Sequence, residues 1–561
     1  MFSEINESYN EFFLARDGVA ECTVYVSEAA GEKVQAAAAD FVSLLREMSG
    51  ADCNISATLP KSGNVVLIGP SCYTEALGIE TPKGATENEC IILKREGNRL
   101  ALLGNDDGYF TGTQFAVTML FESLGCGWFA PQKLWQVVPK KATVSVGYLD
   151  ICHRPAFISR LNNVHRSFPE LAHRWYLGGV KRVSGHALTF IAPREDCLEA
   201  HPEWFCQING KRDPYAVEWW QYCYSNEELP GVFAQKIMEY FDEDPLLTQY
   251  SIALNDGWYE GWCECECCKA MGENCEIVIE FANRIARIVG KRYPAHKLTF
   301  LSYFPTYHAP EHPVHIEPNI EIMFCKECDM FMPVDKGPDN GYHQKYTFEK
   351  SNNSYPTVWR KNFEKWLENV DVKSVAIWDW YCIAAAQEVW KDVPWVQGDV
   401  ATRNLKYWQD HGVQYIYNDQ GPLEAFFEDE HSFALRWPLW YVYARGMYDT
   451  DLTASDMLMD ACKKLYGEAG DVLFAFYSAL SDIAAHNTAK TIGWHAPAPF
   501  ELYGEREITR LDRLIELAER TALSDADARE RISEQARLWR YAKERIAYSA
   551  TLDSTEERCT L

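Results

Sequence analysis

Residues 250–268 read YSIALNDGWYEGWCECECC, and the segments on either side of them decide the fold. YSIAL is a β-rich apolar run that stops at Asn255-Asp256. Residues 275–293, CEIVIEFANRIARIVGKRY, carry apolar residues at helical spacing, and residues 298–303, LTFLSY, return to a strand pattern. Strand, helix and strand in that order describe a parallel pair joined by a crossover helix. The same rhythm extends in both directions. FISRL (157–161), RVSGHAL (182–188), EWFCQI (203–208), YSIAL, LTFLSY, IEIMF (320–324), SVAIWDW (374–380) and VQYIYN (413–418) are eight candidate strands, with PGVFAQKIMEYFDED (230–244) among the intervening helices. Eight strands with helical crossovers over about 300 residues predict an α/β architecture, a (β/α)8 or TIM-like barrel spanning 149–450. The third strand is the weakest, since EWFCQI also suits one arm of a hairpin.

Residues 1–148 read as a separate α/β sandwich. Within them GEKVQAAAADFVSLLREMSG (31–50) places Val34, Ala38, Phe41, Leu45 and Met48 on one helical face with Gly50 as the stop, and ECIILKREGNRLALLGND reads as two strands joined by a Gly-Asn turn. A further helix is predicted to begin near Thr111. Residues 451–561 read as helical, with Ile508, Leu511, Ile515 and Ala518 at helix spacing. No internal repeat or low-complexity linker interrupts the chain, so the three parts are expected to pack closely.

The chain has 561 residues, long enough for two to four domains. Lys+Arg is 54 against Asp+Glu 81, a net charge of −27 that repels nucleic acid and anionic membranes. No apolar run approaches the roughly 18 residues of a membrane span, and the first residues, MFSEINESYNEFF, lack a basic segment followed by an apolar core. As given, the chain is expected to be soluble and cytoplasmic. Aromatic residues make up 14%. They fill a core, and the excess also suits stacking against the C–H faces of sugar rings.

In a barrel of this kind the chemistry lies at the C-terminal ends of the strands. Strand one ends in Arg160, Asn162 and Asn163, and His186 follows strand two. Strand four ends in Asn255 and Asp256, with Trp258 and Glu260 close behind, and strand five ends in Tyr303. Strand seven ends in Trp378, Asp379, Trp380 and Tyr381; strand eight ends in Tyr417, Asn418 and Asp419, followed by Glu424. Asp256, Glu260, Asp379 and Asp419 are therefore the candidate catalytic carboxylates. Arg160, Asn163, His186, Asn255, Trp258, Tyr303, Trp378, Trp380, Tyr381, Tyr417 and Glu424 are candidate substrate contacts. Carboxylates among Trp, Tyr and Asn form the composition of a sugar-cleaving site. One protonates the leaving oxygen, and another acts as nucleophile or base, or orients a nucleophile supplied by the substrate. Any one of these Asp residues equally suits a helix cap.

HPEWFCQINGKR (201–212), QYCYSNEEL (221–229) and SIALNDGWYEGWCECECC (251–268) resemble the bacterial domain of unknown function numbered 4838, and IWDWY (377–381) and LYGEAG (465–470) fit it too. The segment GTQFAVTMLFESLGCGWFAP (112–131) is similar to the N-terminal domain of α-glucuronidases and β-hexosaminidases. The resemblance covers roughly residues 20–550. Members include glycoside hydrolase family 163, endo-β-N-acetylglucosaminidases that cut the chitobiose core of N-glycans. It implies a glycoside hydrolase acting on a β-linked N-acetylhexosamine glycan, with an oligosaccharide as its partner and no cofactor required for catalysis. The alternatives are an exo-hydrolase of uronic-acid glycans, with Arg160 and Arg166 to pair the substrate carboxylate, and a non-catalytic carbohydrate-binding barrel. Relatives often carry a glutamate where this chain has Asn418-Asp419-Gln420, so Asp419 is a shorter substitute or Glu424 takes that role.

The chain holds 19 cysteines. Cys263, Cys265 and Cys268 form C-x-C-x-x-C, and Cys325 and Cys328 in FCKECD add a C-x-x-C pair two strands later. Three readings stay open: a structural zinc bound by thiolates of the two loops, disulfides, or packed free thiols. No H-E-x-x-H pattern supports a catalytic zinc.

Overall fold

The computed structural model describes residues 11–84, 88–256, 261–303, 306–326, 333–336, 357–380, 390, 392–396, 398–419, 430–486, 498–521 and 524–552. They form two compact units. One comprises residues 1–179, 381–406 and 419–561, and the other residues 180–380 and 407–418.

The second unit is built on parallel strands. Lys181–Val183, Leu247–Ser251, Lys297–Ser302, Ile320–Lys326, Ser374–Asp379 and Tyr415–Asn418 lie side by side in sequence order. Helices Leu229–Glu243, Asn274–Gly290 and Thr357–Asn369 supply crossovers, as the alternation of strand and helix patterns predicts. Neighbouring parallel strands in register point their side chains to the same face. On one face, Phe324 packs against Phe363 and Trp366 of helix Thr357–Asn369, with ring centroids 4.9 and 6.0 Å apart, and Phe300 meets Trp366 at 5.9 Å. The other face is polar low in the sheet. Arg182 reaches Glu321 at 2.6 Å and Thr299 at 3.2 Å, and Thr299 donates to Glu321 at 2.9 Å. Glu321 is fully buried there, so this network neutralises a charge that could not otherwise leave water.

Seven of the eight predicted strands form. The first lies in the other unit as Ser159–Asn162, and the exception is EWFCQI. Pro202 opens a short 3-10 turn over Pro202–Trp204. The chain then doubles back: Ile208 and Lys211 exchange hydrogen bonds at 2.7 and 3.0 Å, and Phe205 bridges Tyr222 in antiparallel fashion. Asn209 and Gly210, at φ 50° and 77°, supply the left-handed turn this requires. The segment is a hairpin arm, and the described strands form an open parallel sheet instead of a closed eight-stranded barrel.

The other unit contains the predicted N-terminal layer. Its six-stranded sheet runs in the order Asp150–His153, Ile91–Glu96, Arg99–Gly104, Asn64–Ile68, Cys22–Tyr25 and Ile55–Ser56. Helix Glu32–Ser49 buries Val34, Ala38, Phe41, Leu45 and Met48, the predicted face, and ends at Gly50 with φ 79°. Helix Gly112–Ser123 starts after Thr111. Gly104 and Gly112 meet backbone to backbone there: a Cβ on Gly104 would lie 2.3 Å from the Gly112 carbonyl carbon. Helices Ala454–Tyr466, Gly470–Ala485, Glu505–Arg520 and Ala526–Ser549 complete this unit, with Leu511, Ile515 and Ala518 buried as their spacing predicts. Arg531 joins them to the N-terminal layer by donating to the carbonyls of Leu134, Leu465 and Gln136. No helix among the described residues is long and apolar enough to cross a membrane.

Candidate functional site

The carboxyl ends of the parallel strands bring six of the predicted residues together within the second unit: His186, Asp256, Tyr303, Trp378, Trp380 and Tyr417. Asp256 follows strand Leu247–Ser251, and its side chain keeps 49% of its exposure. The Tyr303 hydroxyl donates to Asp256 Oδ1 at 3.3 Å. His186 Nε2 stands 3.6 Å from the same oxygen. On its other side, His186 Nδ1 lies 2.5 Å from the Leu254 carbonyl oxygen, which can only accept, so Nδ1 carries a proton. Nε2 is then the nitrogen that faces the carboxylate.

Aromatic rings flank this group, and a second aromatic pair ends two further strands of the sheet. Tyr303 sits edge-on to Trp380, with centroids 5.6 Å apart, and tilts against His186 at 5.8 Å. Trp378 and Tyr417 meet edge to face at 4.9 Å, as register partners on adjacent strands. Tyr303, Trp378 and Tyr417 are half-buried. The arrangement offers flat apolar faces beside one solvent-facing carboxylate, a phenol and an imidazole.

The loop carrying Asp256 is pinned from below. Asn255 donates its carboxamide to the Trp220 carbonyl at 2.8 Å, and Gln221 donates to the Asn255 carbonyl at 2.9 Å. Asn255, predicted as a substrate contact, thus orients the loop. Gly261 continues the same packing: at φ 77° it presses on the Trp219 carbonyl, where a Cβ would lie 1.7 Å from the oxygen.

Asp379 does not join the site. It is in register with Lys326, two positions beyond the Phe324–Ile377 pair that faces the helices, so the pleat turns it away from Trp378. It is fully buried and meets Lys326 Nζ at 3.2 Å, with 1% and 0% of the Lys326 and Asp379 side chains exposed. A carboxylate sealed beside an ammonium cannot meet a sugar, so the catalytic assignment of Asp379 is corrected to a structural ion pair. Arg160 is corrected likewise. It is fully buried and pairs with Glu89 at 2.5 Å, while also donating to the carbonyls of Tyr176 and Phe157 at 2.8 Å. Burial pushes the Glu89 carboxyl above its ordinary range, against the pull of Arg160 and the Thr111 amide. Asn163 and Asp419 belong to the other unit and are half-buried. Trp258, Glu260, Tyr381, Glu424 and Cys328 lie outside the described residues, as does the side chain of Arg166.

The cysteines divide differently from the prediction. Cys263, Cys265 and Cys268 gather as expected, but their fourth partner is Cys223; the four sulfurs lie within 4.8 Å of one another. Cys325 is not in that group. It is buried in strand Ile320–Lys326, in register with Trp378, and the strand's pleat fixes it there. Cys223 sits in QYCYSNEEL, a motif already singled out as distinctive, and the hairpin that replaces the third strand is what carries it to the other three.

Solved carbohydrate-active enzymes resemble the described chain to different degrees. One is a family GH115 4-O-methyl-α-glucuronidase, BtGH115A, with specificity for decorated arabinogalactans: TM-score 0.57, 12% identity, 96% of this chain and 73% of that one. More distant are a GH138 enzyme targeting pectin rhamnogalacturonan II (0.48, 10%, 94% and 86%) and a mutant β-hexosaminidase of Streptomyces plicatus in complex with its product GlcNAc (0.43, 10%, 86% and 94%). No curated protein matches the sequence. The family model described as domain of unknown function DUF4838 matches residues 130–478, well over half of the chain and all of the strands that build the site. The chain therefore belongs to the DUF4838 family.

Proposed function

We propose that this chain is a glycoside hydrolase acting on a β-linked N-acetylhexosamine glycan, with a (β/α)8-type sheet as its scaffold and Asp256 as its acid/base carboxyl. The observation that carries the reading is Asp256 itself: half-exposed at a strand end, held by the Tyr303 hydroxyl, beside His186 Nε2, and set among aromatic faces suited to a pyranose. The acetamido group of such a sugar supplies its own carbonyl as nucleophile. The enzyme then needs one group to protonate the leaving oxygen and another to polarise the acetamide. Asp256 protonates the leaving oxygen and regains its proton from the incoming water. Tyr303 fixes the carboxyl's orientation, and His186 supports its change of charge. Glu260, four residues after Asp256 in the sequence, is the candidate for the polarising role. Endo cleavage within an N-glycan chitobiose core is the linkage that the resemblance to family 163 favours.

The uronic-acid reading loses one of its two candidate cations, because Arg160 is committed to Glu89. A panel of aryl N-acetylhexosaminides, aryl uronides and intact N-glycans tests the proposal. Turnover of the N-acetylhexosamine substrates is the expected result. Turnover of uronides alone, or glycan binding with no turnover of any substrate, would overturn it.

A further inference from the structure

We infer that Cys223, Cys263, Cys265 and Cys268 are the ligands of a structural zinc ion, bound as a tetrathiolate under the loop that carries Asp256. Cys223 Sγ lies 3.8 Å from Cys265 Sγ and 3.8 Å from Cys268 Sγ, and all four sulfurs lie within 4.8 Å of one another. Zinc–sulfur bonds of about 2.3 Å in a tetrahedron place the sulfurs about 3.8 Å apart. Separation alone is not decisive: Cys22 and Cys53 stand 3.7 Å apart, and Cys90 and Cys152 3.8 Å, and neither pair is joined by further cysteines among the described residues. What distinguishes the tetrad is that four sulfurs from two segments converge on one centre and that donors surround them.

Those donors suit thiolates. The Gln207 amide donates to Cys263 Sγ at 3.3 Å, and the Cys268 amide to Cys265 Sγ at 3.4 Å. The Ser225 hydroxyl lies within 3.5 Å of three of the sulfurs. The Arg212 guanidinium, which donates to the Phe205 carbonyl on the same hairpin, adds positive charge that favours the thiolate of Cys223. Zn2+ binding sends the four thiol protons to solvent and leaves a centre of net charge −2, which these N–H groups and Arg212 offset. An all-sulfur, closed ligand set selects zinc over the oxygen-loving cations, and with four protein ligands no position remains for water, so the ion is structural.

The site explains how a poorly regular stretch holds its shape. Cys223 follows Trp220 and Gln221, which hold Asn255, and Cys263–Cys268 follow the same loop on its far side. The metal would close that loop onto the hairpin.

The test is elemental analysis of the full chain purified without chelator. About one zinc per molecule is expected, with release of the ion as four thiols are titrated by a mercurial. Cobalt(II) in its place should give the intense thiolate charge-transfer absorption of a tetrahedral sulfur site. Cys223→Ala should lose the metal, whereas Cys267→Ser, an exposed cysteine inside the motif but outside the tetrad, and Cys325→Ala should keep it. Wild-type protein with no metal, disulfides joining the four cysteines by peptide mapping, iron in place of zinc, or full zinc in Cys223→Ala would each overturn the assignment.

Discussion

Asp256 follows one strand of the parallel sheet and Asp379 ends another, and both lie near tryptophans in the sequence, yet the fold gives them opposite roles. Asp256 stands past the end of its strand, half-exposed, with a phenol and an imidazole on one oxygen. Asp379 is still inside its strand, on the helix-facing side of the pleat, sealed against Lys326. Within strand Ser374–Asp379, one residue separates Trp378, which faces the aromatic site, from Asp379, which faces the helices. A strand-end position thus nominates a carboxylate, and the parity of the pleat decides whether it can reach a substrate.

The contrast breaks most visibly in stability. Asp379→Asn should cost about 3–5 kcal/mol of folding stability, because it removes a buried carboxylate charge 3.2 Å from the Lys326 ammonium. Chemical denaturation measures this. A variant as stable as wild type but devoid of turnover would return Asp379 to the catalytic machinery. Arg160→Met should cost a similar amount, about 3–5 kcal/mol, by stranding Glu89, with no change in KM for the surviving folded protein. A raised KM at unchanged stability would instead make Arg160 a substrate contact. On the open side the expected effects are kinetic. His186→Gln should lower kcat about tenfold, the scale of one lost interaction with a charged group, and leave the melting temperature near wild type. Tyr303→Phe, which removes one 3.3 Å hydrogen bond and keeps the ring, should lower kcat/KM about fivefold, or ~1 kcal/mol. Equal losses in the two variants would mean that the histidine contributes no more than orientation.

Much of this was legible in the sequence. The parallel strands and their crossover helices follow from apolar runs alternating with helical periodicity, and the helix over 32–49 follows from its single apolar face and terminal glycine. EWFCQI misleads because a hairpin arm and a buried strand share one composition, and the deciding signal is the Asn209-Gly210 turn just beyond it. Asp256, His186, Tyr303 and the aromatic residues were legible as strand-end positions. The burial of Asp379 was not, because its partner Lys326 lies 53 residues away, on a neighbouring strand. Arg160 was misread for the same reason: Glu89 is 71 residues earlier, in the N-terminal layer. Cys223 escaped because metal-site spacing rules look for pairs along the chain, whereas this ligand is brought in by the hairpin.

The central claim is that Asp256 gives its proton to the leaving oxygen, and the most direct measurement compares Asp256→Asn with wild type on two substrates of the same sugar. One carries a 2,4-dinitrophenol leaving group, which departs without protonation, and the other a natural sugar or simple alcohol, which does not. The account predicts a loss of about 10²–10⁴ in rate on the poor leaving group, near-normal departure of dinitrophenol, and an unchanged melting temperature. Equal losses in the first-turnover release of both leaving groups, or no loss in either, would contradict it.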